Sequence, residues 1–222
     1  MMSQRILPVH IREFINEKVD NEIEIAKAGR KAEIHMKMNS LSDPEIIAKL
    51  YEASHAGVKI HLIVRGICCL RTDIPGISDN IEVHSIVGRL LEHSRIYYFY
   101  NDGNDEIYLS SADMMKRNLN RRVETLFPVL QPDLKQRAID IYNKMWEDNV
   151  KARILHDETY SMIDRRGKEA VNAQEFFIQQ AEAKNAHLKQ QRKAEARKIE
   201  TFEVIRKQDD DLKLGEKKDH ND

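Results

Sequence analysis

Between residues 10 and 150 the apolar side chains repeatedly change their spacing, from three or four residues to two and back. That alternation constrains the fold more than any other feature. Ile11, Phe14, Ile15, Val19, Ile23 and Ala26 share one helical face, so an amphipathic helix is expected over 10–29. Residues 32–38 then alternate as a strand does. The string SDPE at 42–45 reads as a capping box with a helix-opening proline, starting a helix to about Ser54. Gly57 stops it, and KIHLIV at 59–64 is a second strand. Further strand-like runs lie at 81–86, 95–100 and 106–109, the last two joined by a turn at 101–104. Another covers 124–130. Pro132 then opens a helix carrying Leu134, Ala138, Ile141, Tyr142, Met145 and Trp146. Helices alternating with strands argue an α/β fold that includes an antiparallel hairpin.

Charge divides the chain near residue 150. Residues 1–150 hold 20 basic and 22 acidic side chains, while the much shorter stretch 151–222 holds 16 and 15. The core is therefore expected in the first part. A loop is expected around 157–168, followed by a long helix from Asn172 to about Lys207 that is rich in Ala, Gln, Lys and Glu. Such a helix has little to bury, so it stands off the domain or docks by a stripe through Phe176, Phe177 and Ile178. The end from Gln208 is expected to fray.

The chain's 36 basic and 37 acidic residues leave a net charge of -1, which provides no global field for nucleic acid or an anionic membrane. An anion site would have to be local. No apolar run approaches the roughly 18 residues of a spanning helix, and the N-terminal stretch is too short for a signal-peptide core. A cytoplasmic protein without a transmembrane segment is expected, with peripheral membrane association left open. The only cysteines, Cys68 and Cys69, are adjacent and so poorly placed to pair with each other. Two half-buried thiols in a reducing compartment are expected, and no histidine pair has metal-ligand spacing, so no protein metal site is expected.

Three polar segments follow strands, where open α/β sheets place ligands. These are 37–40, 65–71, and 92–95 taken with 110–113 and 116–122. Neither common glycine-rich nucleotide cradle is present. His93 and Arg95 alternate at the start of an expected strand, and Ser111 and Asp113 do the same near the end of its partner. An arginine can hold phosphate oxygens in bidentate fashion while an imidazole attacks or exchanges a proton. The alternative is an ordinary strand histidine paired with Glu92 or Asp113. Arg117, Arg121 and Arg122 either clamp an anion or solvate a loop. His35, His61, His55 and His84 read as structural.

Five ordered strings carry a specific resemblance: KMNSLSD at 37–43, IVRGICCLR at 63–71, IVGRLLEHSRIYYF at 86–99, YLSSADM at 108–114 and RNLNRRVE at 117–124. Together, over residues 6–155, the chain resembles the last domain of bacterial polyphosphate kinases; NAQEFF at 172–177 also resembles the end of some members. The resemblance implies a phospholipase-D-like mixed sheet flanked by helices at 1–155, followed by a charged, mostly helical tail at 156–222. It implies reversible transfer of the terminal phosphate of ATP to polyphosphate through a phosphohistidine, with Mg2+ accompanying the nucleotide. The phospholipase-D pattern His-x-Lys-x4-Asp is only partly kept, since Arg95 replaces the lysine and Tyr100 the aspartate. This argues against phosphodiester hydrolysis.

On this resemblance His93 matches the family's second histidine, a phosphate contact and acid–base partner, and not the one that becomes phosphorylated. Arg65 matches an arginine that binds the triphosphate. Lys37, Asn39, Arg95, Ser111, Asp113, Arg117 and Arg122 lie in the same segments and are expected as phosphate contacts. The phosphorylated histidine is expected in a domain this chain does not contain, so the chain alone is expected to be a poor kinase. The missing upstream half of the enzyme, or a second copy of the chain, is then the expected partner. A non-catalytic module binding ATP or polyphosphate, and a self-contained dimeric phosphotransferase, are the other readings.

Overall fold

The computed structural model describes residues 11–216, with side chains to residue 196. In chain order the elements are α1 (Ile11–Lys27), β1 (Glu33–Met38), α2 (Pro44–His55), β2 (Lys59–Val64), β3 (Ile81–Ile86), β4 (Ile96–Phe99), β5 (Glu106–Ser110), α3 (Lys116–Arg121), β6 (Leu126–Pro128), α4 (Pro132–Trp146), β7 (Ala152–His156), β8 (Thr159–Met162) and α5 (Ala173–Glu216). The strands form one 8-stranded mixed sheet in the order β6-β5-β4-β1-β2-β3-β7-β8. The neighbours β1, β2 and β3 run parallel, and every other pairing is antiparallel.

One face of the sheet is covered by α1 and α2. Ile34, Met36 and Met38 of β1 and Ile60, Leu62 and Val64 of β2 are fully buried there with Ile15, Val19 and Ile23 of α1 and Ile46, Leu50 and Ala53 of α2. The period-2 and period-3.6 stripes of the sequence meet in this cluster. The cap of α2 differs by one residue from the expected box. Asp43, not Ser42, is the N-cap and accepts a hydrogen bond from Ile46 N at 3.1 Å, with Pro44 opening the first turn. Asp43 also receives Arg12 Nη2 at 2.6 Å, which ties α1 to α2. Burial raises the Asp43 carboxyl's pKa, but the Arg12 guanidinium and the helix amide outweigh it and hold the group below its ordinary value.

The other face carries an unusual layer. His35, His61 and His84 come from the three parallel strands, and α4 lays Tyr142 and Trp146 over them. His35 stacks on His61 with ring centroids 4.9 Å apart, and Trp146 stacks on His61 at 4.1 Å and on His84 at 3.9 Å. Tyr142 is anchored by its hydroxyl, which donates to His61 O at 2.9 Å. All three histidines are packed in this stacked layer.

β7 ends at His156 and turns back through Asp157 and Glu158 into β8, so the loop expected around 157–168 is in part a strand. Of β8 only Tyr160 packs against the core, while Thr159, Ser161 and Met162 are exposed. An edge strand with one half-buried residue shows no alternation to read. The chain separates into a first unit ending at Gln174 and a second from Glu175; the expected division after residue 155 falls inside the β7–β8 hairpin. α5 continues to Glu216, beyond Lys207. Cys68 is half-buried and Cys69 is exposed rather than half-buried; neither is in a disulfide. Among the described residues no helix is long and apolar enough to cross a membrane.

Burial lowers the pKa values of His35 and His61 from 6.5 to about 4. Between those values the unfolded chain takes up protons that the folded layer refuses, so this stability is present above about pH 6.5 and is lost as pH falls towards 4. Urea-unfolding midpoints should fall through that window. His35→Phe, which keeps the stack and cannot titrate, should flatten the fall.

Candidate active site

Because β1 and β2 are parallel, their C-terminal ends deliver Asn39 and Arg65 to the same end of the sheet. Antiparallel β4 starts at that end and β5 finishes there, since Ile96 pairs with both Lys37 and Leu109. The segments that precede Ile96 and follow Ser110 are thereby brought beside Asn39. Gly66 makes the crossing close: its N–H donates to Asn39 O at 2.8 Å, and a Cβ at this position would lie 3.0 Å from that oxygen.

Asp113 stands at the centre. Its Oδ1 accepts from Asn39 N at 2.7 Å, Ser40 N at 3.4 Å and Arg95 Nε at 3.1 Å, and its Oδ2 accepts from Arg95 Nη2 at 2.9 Å. Burial raises the pKa of this carboxyl, but the bidentate guanidinium and the two amides prevail and hold it below its ordinary value. The remaining Arg95 Nη1 donates to His93 O at 2.8 Å and lies 3.0 Å from His93 Nδ1. The same Nη1 lies 3.4 Å from His93 Nε2, so the guanidinium sits against the edge of the ring. His93 itself is exposed. It is paired with neither Glu92 nor Asp113 among the described residues.

These groups open on a cavity of about 670 Å³. Eight of the nine residues expected at a phosphate site line it: Asn39, Arg65, His93, Arg95, Ser111, Asp113, Arg117 and Arg122. Lys37 does not. It points to the opposite face of β1 from Met36 and Met38, is fully buried, and reaches Glu92 at 3.4 Å and Ser94 O at 3.2 Å. Burial lowers its pKa, with Glu92 opposing. His93 and Arg95 do meet, although β4 begins only at Ile96 and the pair forms in a loop rather than by strand alternation. Ser111 and Asp113 diverge: Asp113 turns to Arg95, while Ser111 Oγ donates to Glu124 Oε2 at 2.5 Å.

Ser40, Asn118 and Glu124 also line the cavity and were not singled out in the sequence. Asn118 Nδ2 donates to Glu124 Oε1 at 2.7 Å, so this carboxylate links Asn118 to Ser111. Asn118 and Glu124 both belong to the string RNLNRRVE at 117–124 that carries part of the resemblance, but in it the arginines draw attention first.

Four arginines, Asp113 and Glu124 supply the charges of the cavity lining. Arg95 is spent on Asp113, whereas Arg65 uses Nε on Asn39 Oδ1 at 2.9 Å and Arg117 has no ion-pair partner among the described residues. Arg122 is only loosely held, 4.0 Å from Glu124. Asn39 Nδ2 is buried and lacks a partner, as does Asn118 Oδ1. An orphaned buried donor costs about 1–3 kcal/mol, which a ligand accepting from it would recover. Phosphate oxygens suit that donor and the planar guanidinium forks equally.

Residues 5–174 match the family model for polyphosphate kinase C-terminal domain 2. The chain belongs to this family. The polyphosphate kinase of Lactiplantibacillus plantarum is 70% identical over 178 residues, which is 80% of this chain and 25% of that protein. That of Staphylococcus haemolyticus is 49% identical over 176 residues, 79% of this chain and 24% of the relative. The crystal structure of polyphosphate kinase from Porphyromonas gingivalis superposes with a TM-score of 0.75 at 40% identity, over 84% of this chain and 29% of that one. The chain thus spans about a quarter of the length of the curated relatives it matches. Its fold is the C-terminal domain of that family, carried by a mixed α/β sheet with a cationic cavity at one end.

Removing the Asp113 carboxylate would orphan two backbone amides and leave a nine-tenths-buried Arg95 unpaired. Asp113→Ala should cost about 3–5 kcal/mol in chemical unfolding, and Asp113→Asn should cost less because one acceptor oxygen remains. Equal stabilities for the two variants would contradict this organising role.

Proposed function

We propose that this domain supplies the phosphate-binding half of a polyphosphate kinase site, which transfers the terminal phosphate of ATP reversibly to polyphosphate. The observation that carries the reading is the convergence of three under-committed arginines, an unpartnered buried amide and His93 on one cavity of a chain belonging to this family. Arg65, Arg117 and Arg122 hold phosphate oxygens, and Asn39 Nδ2 donates to another. Arg95 and Asp113 fix the walls, with Ser111 bracing Glu124. His93 exchanges a proton with a phosphate oxygen. In the transfer, the bond between the γ-phosphorus and its bridging oxygen breaks, ADP leaves, and the phosphoryl group bonds to a histidine provided by another domain. The terminal oxygen of polyphosphate then attacks that phosphorus and the phosphorus–nitrogen bond breaks. The reverse sequence forms ATP.

Mg2+ enters with the nucleotide. Among the described residues no group of three or more His, Cys, Asp or Glu could hold a metal. Asp113 is engaged by Arg95 and two amides, and Glu124 by Ser111 and Asn118, so the ion's ligands would be phosphate oxygens. The partner is the upstream part of the enzyme, a reading supported by the quarter-length coverage of the relatives. Adjacent unpaired thiols at Cys68 and Cys69 fit a reducing cytoplasm.

The test is phosphate transfer from Mg-ATP to a polyphosphate primer, with and without the upstream domains of the Lactiplantibacillus plantarum relative added as a separate chain. Transfer should require the addition and should drop about 10²–10⁴-fold in His93→Ala. Transfer by the chain alone, abolished in His93→Ala, would instead support a self-contained dimeric site.

A further inference from the structure

The segment that bears His93 is poorly secured by burial. Residues 87–95 form no helix or strand, and Val87, Leu90 and Leu91 are 67%, 49% and 67% exposed. A catalytic side chain on such a loop needs another source of order. Three of the loop's hydrogen bonds lead to one side chain at the opposite end of the domain's sequence, Gln174.

Gln174 is 5% exposed and all of its amide capacity towards the loop is used. Oε1 accepts from Leu90 N at 2.9 Å, while Nε2 donates to Leu90 O and to Glu92 Oε1, both at 2.8 Å. The carboxamide thus pairs with Leu90 much as a neighbouring strand would. Flipping it would set an oxygen against a carbonyl and a carboxylate, so the network itself assigns the orientation. Glu92 Oε2 continues the chain to Lys37 Nζ at 3.4 Å, and Lys37 donates to Ser94 O at 3.2 Å. His93 therefore sits between two residues that are both held, while Arg95 Nη1 grips its own carbonyl.

Two further observations show that the clamp is built into the fold. Gly88 passes so near Gln174 that a Cβ there would lie 2.7 Å from Gln174 Cδ, closer still to Oε1. On the other side, the backbone beneath Gln174 is anchored: Ala173 N donates to Asp148 Oδ2 at 2.8 Å, and Asp148 is fully buried and accepts three more amides at the start of β7.

We propose that Gln174 is a positioning residue for His93, acting through Leu90, Glu92 and Lys37. Lys37 accordingly serves the loop and not the phosphate. The importance of this for turnover rests on the role proposed above for His93, but the clamp itself can be tested without any activity. Displacing a reacting group by about an ångström can cost about 10²-fold in rate while leaving binding groups elsewhere intact. The arginines of the cavity make no contact with Gln174 among the described residues, so the loss should fall on kcat and spare KM for ATP.

The experiment uses the whole chain and two variants that attack the clamp from opposite sides. Gln174→Met keeps length and burial without hydrogen bonds, and Gly88→Ala pushes a methyl group into the carboxamide. In both, amide hydrogen exchange at residues 89–94 should accelerate about 10-fold or more and the ring resonances of His93 should shift, while exchange in β1 and β2 stays as in the parent chain. With the upstream domains added, kcat should fall about 10–100-fold with KM for ATP within about twofold. Loop exchange and His93 resonances like those of the parent in both variants would overturn the proposal. So would a rise in KM with kcat unchanged. If the loop loosens and the His93 signals move, yet His93→Ala itself leaves transfer intact, the clamp stands and the functional reading of His93 falls.

Discussion

The carboxylate of Asp113 joins what the sheet alone would leave separate. β1, β4 and β5 bring their ends to one place, but the chain beyond each strand end is irregular and could take many courses. Asp113 accepts from the backbone just after β1 and from the guanidinium just before β4, from its own position after β5. The geometry works because the fork of an arginine matches a carboxylate, leaving the near oxygen lone pairs for two amides. Burial, which on its own opposes a charged carboxyl, is outweighed by four donors. With that junction set, Arg95 has one nitrogen left for His93, and the cavity acquires a fixed wall.

A chain with nearly equal numbers of acids and bases can still present a cationic site if its charges are sorted. Here the sorting is done by pairing. Lys37 is committed to Glu92, Arg12 to Asp43 and Arg95 to Asp113, all in buried or nearly buried pairs. Arg65, Arg117 and Arg122 are left with an amide oxygen, no ion pair among the described residues, and a distant carboxylate respectively. The difference between paired cations and those left open to the cavity is thus one of partners rather than of number. Buried pairs of this kind add little net stability, and their worth here lies in geometry.

The legibility of the sequence tracked burial. Where a strand or helix buries one face against the core, as do α1, β1 and β2, spacing revealed the element to within a residue or two. β8 was missed because only Tyr160 turns inward. Ser42 and Asp43 can both cap a helix, and the register of Pro44 decides for Asp43. At the site, His93, Arg65 and Asp113 could be picked out by residue type and neighbourhood, aided by a resemblance spread over five strings. Lys37 looks like an equal member because it stands at the end of the same strand, yet its ammonium is fully buried against Glu92 and Ser94 O and does not line the cavity.

The sequence by itself determined the alternating α/β order, the location of the core before the charged tail, the family, and most of the residues that line the cavity, because periodicity and residue chemistry are local properties of the chain. Tertiary structure alone decided which of those charges face the cavity. Partner choice between Arg95 and Asp113, Lys37 and Glu92, or Ser111 and Glu124 depends on strand order and register, which bring together residues 13 to 55 positions apart. It also decided that Gln174, far along the chain, touches the loop around His93. No spacing rule could have shown that contact, because it is made across the fold, two of its three hydrogen bonds going to backbone groups that any residue would offer.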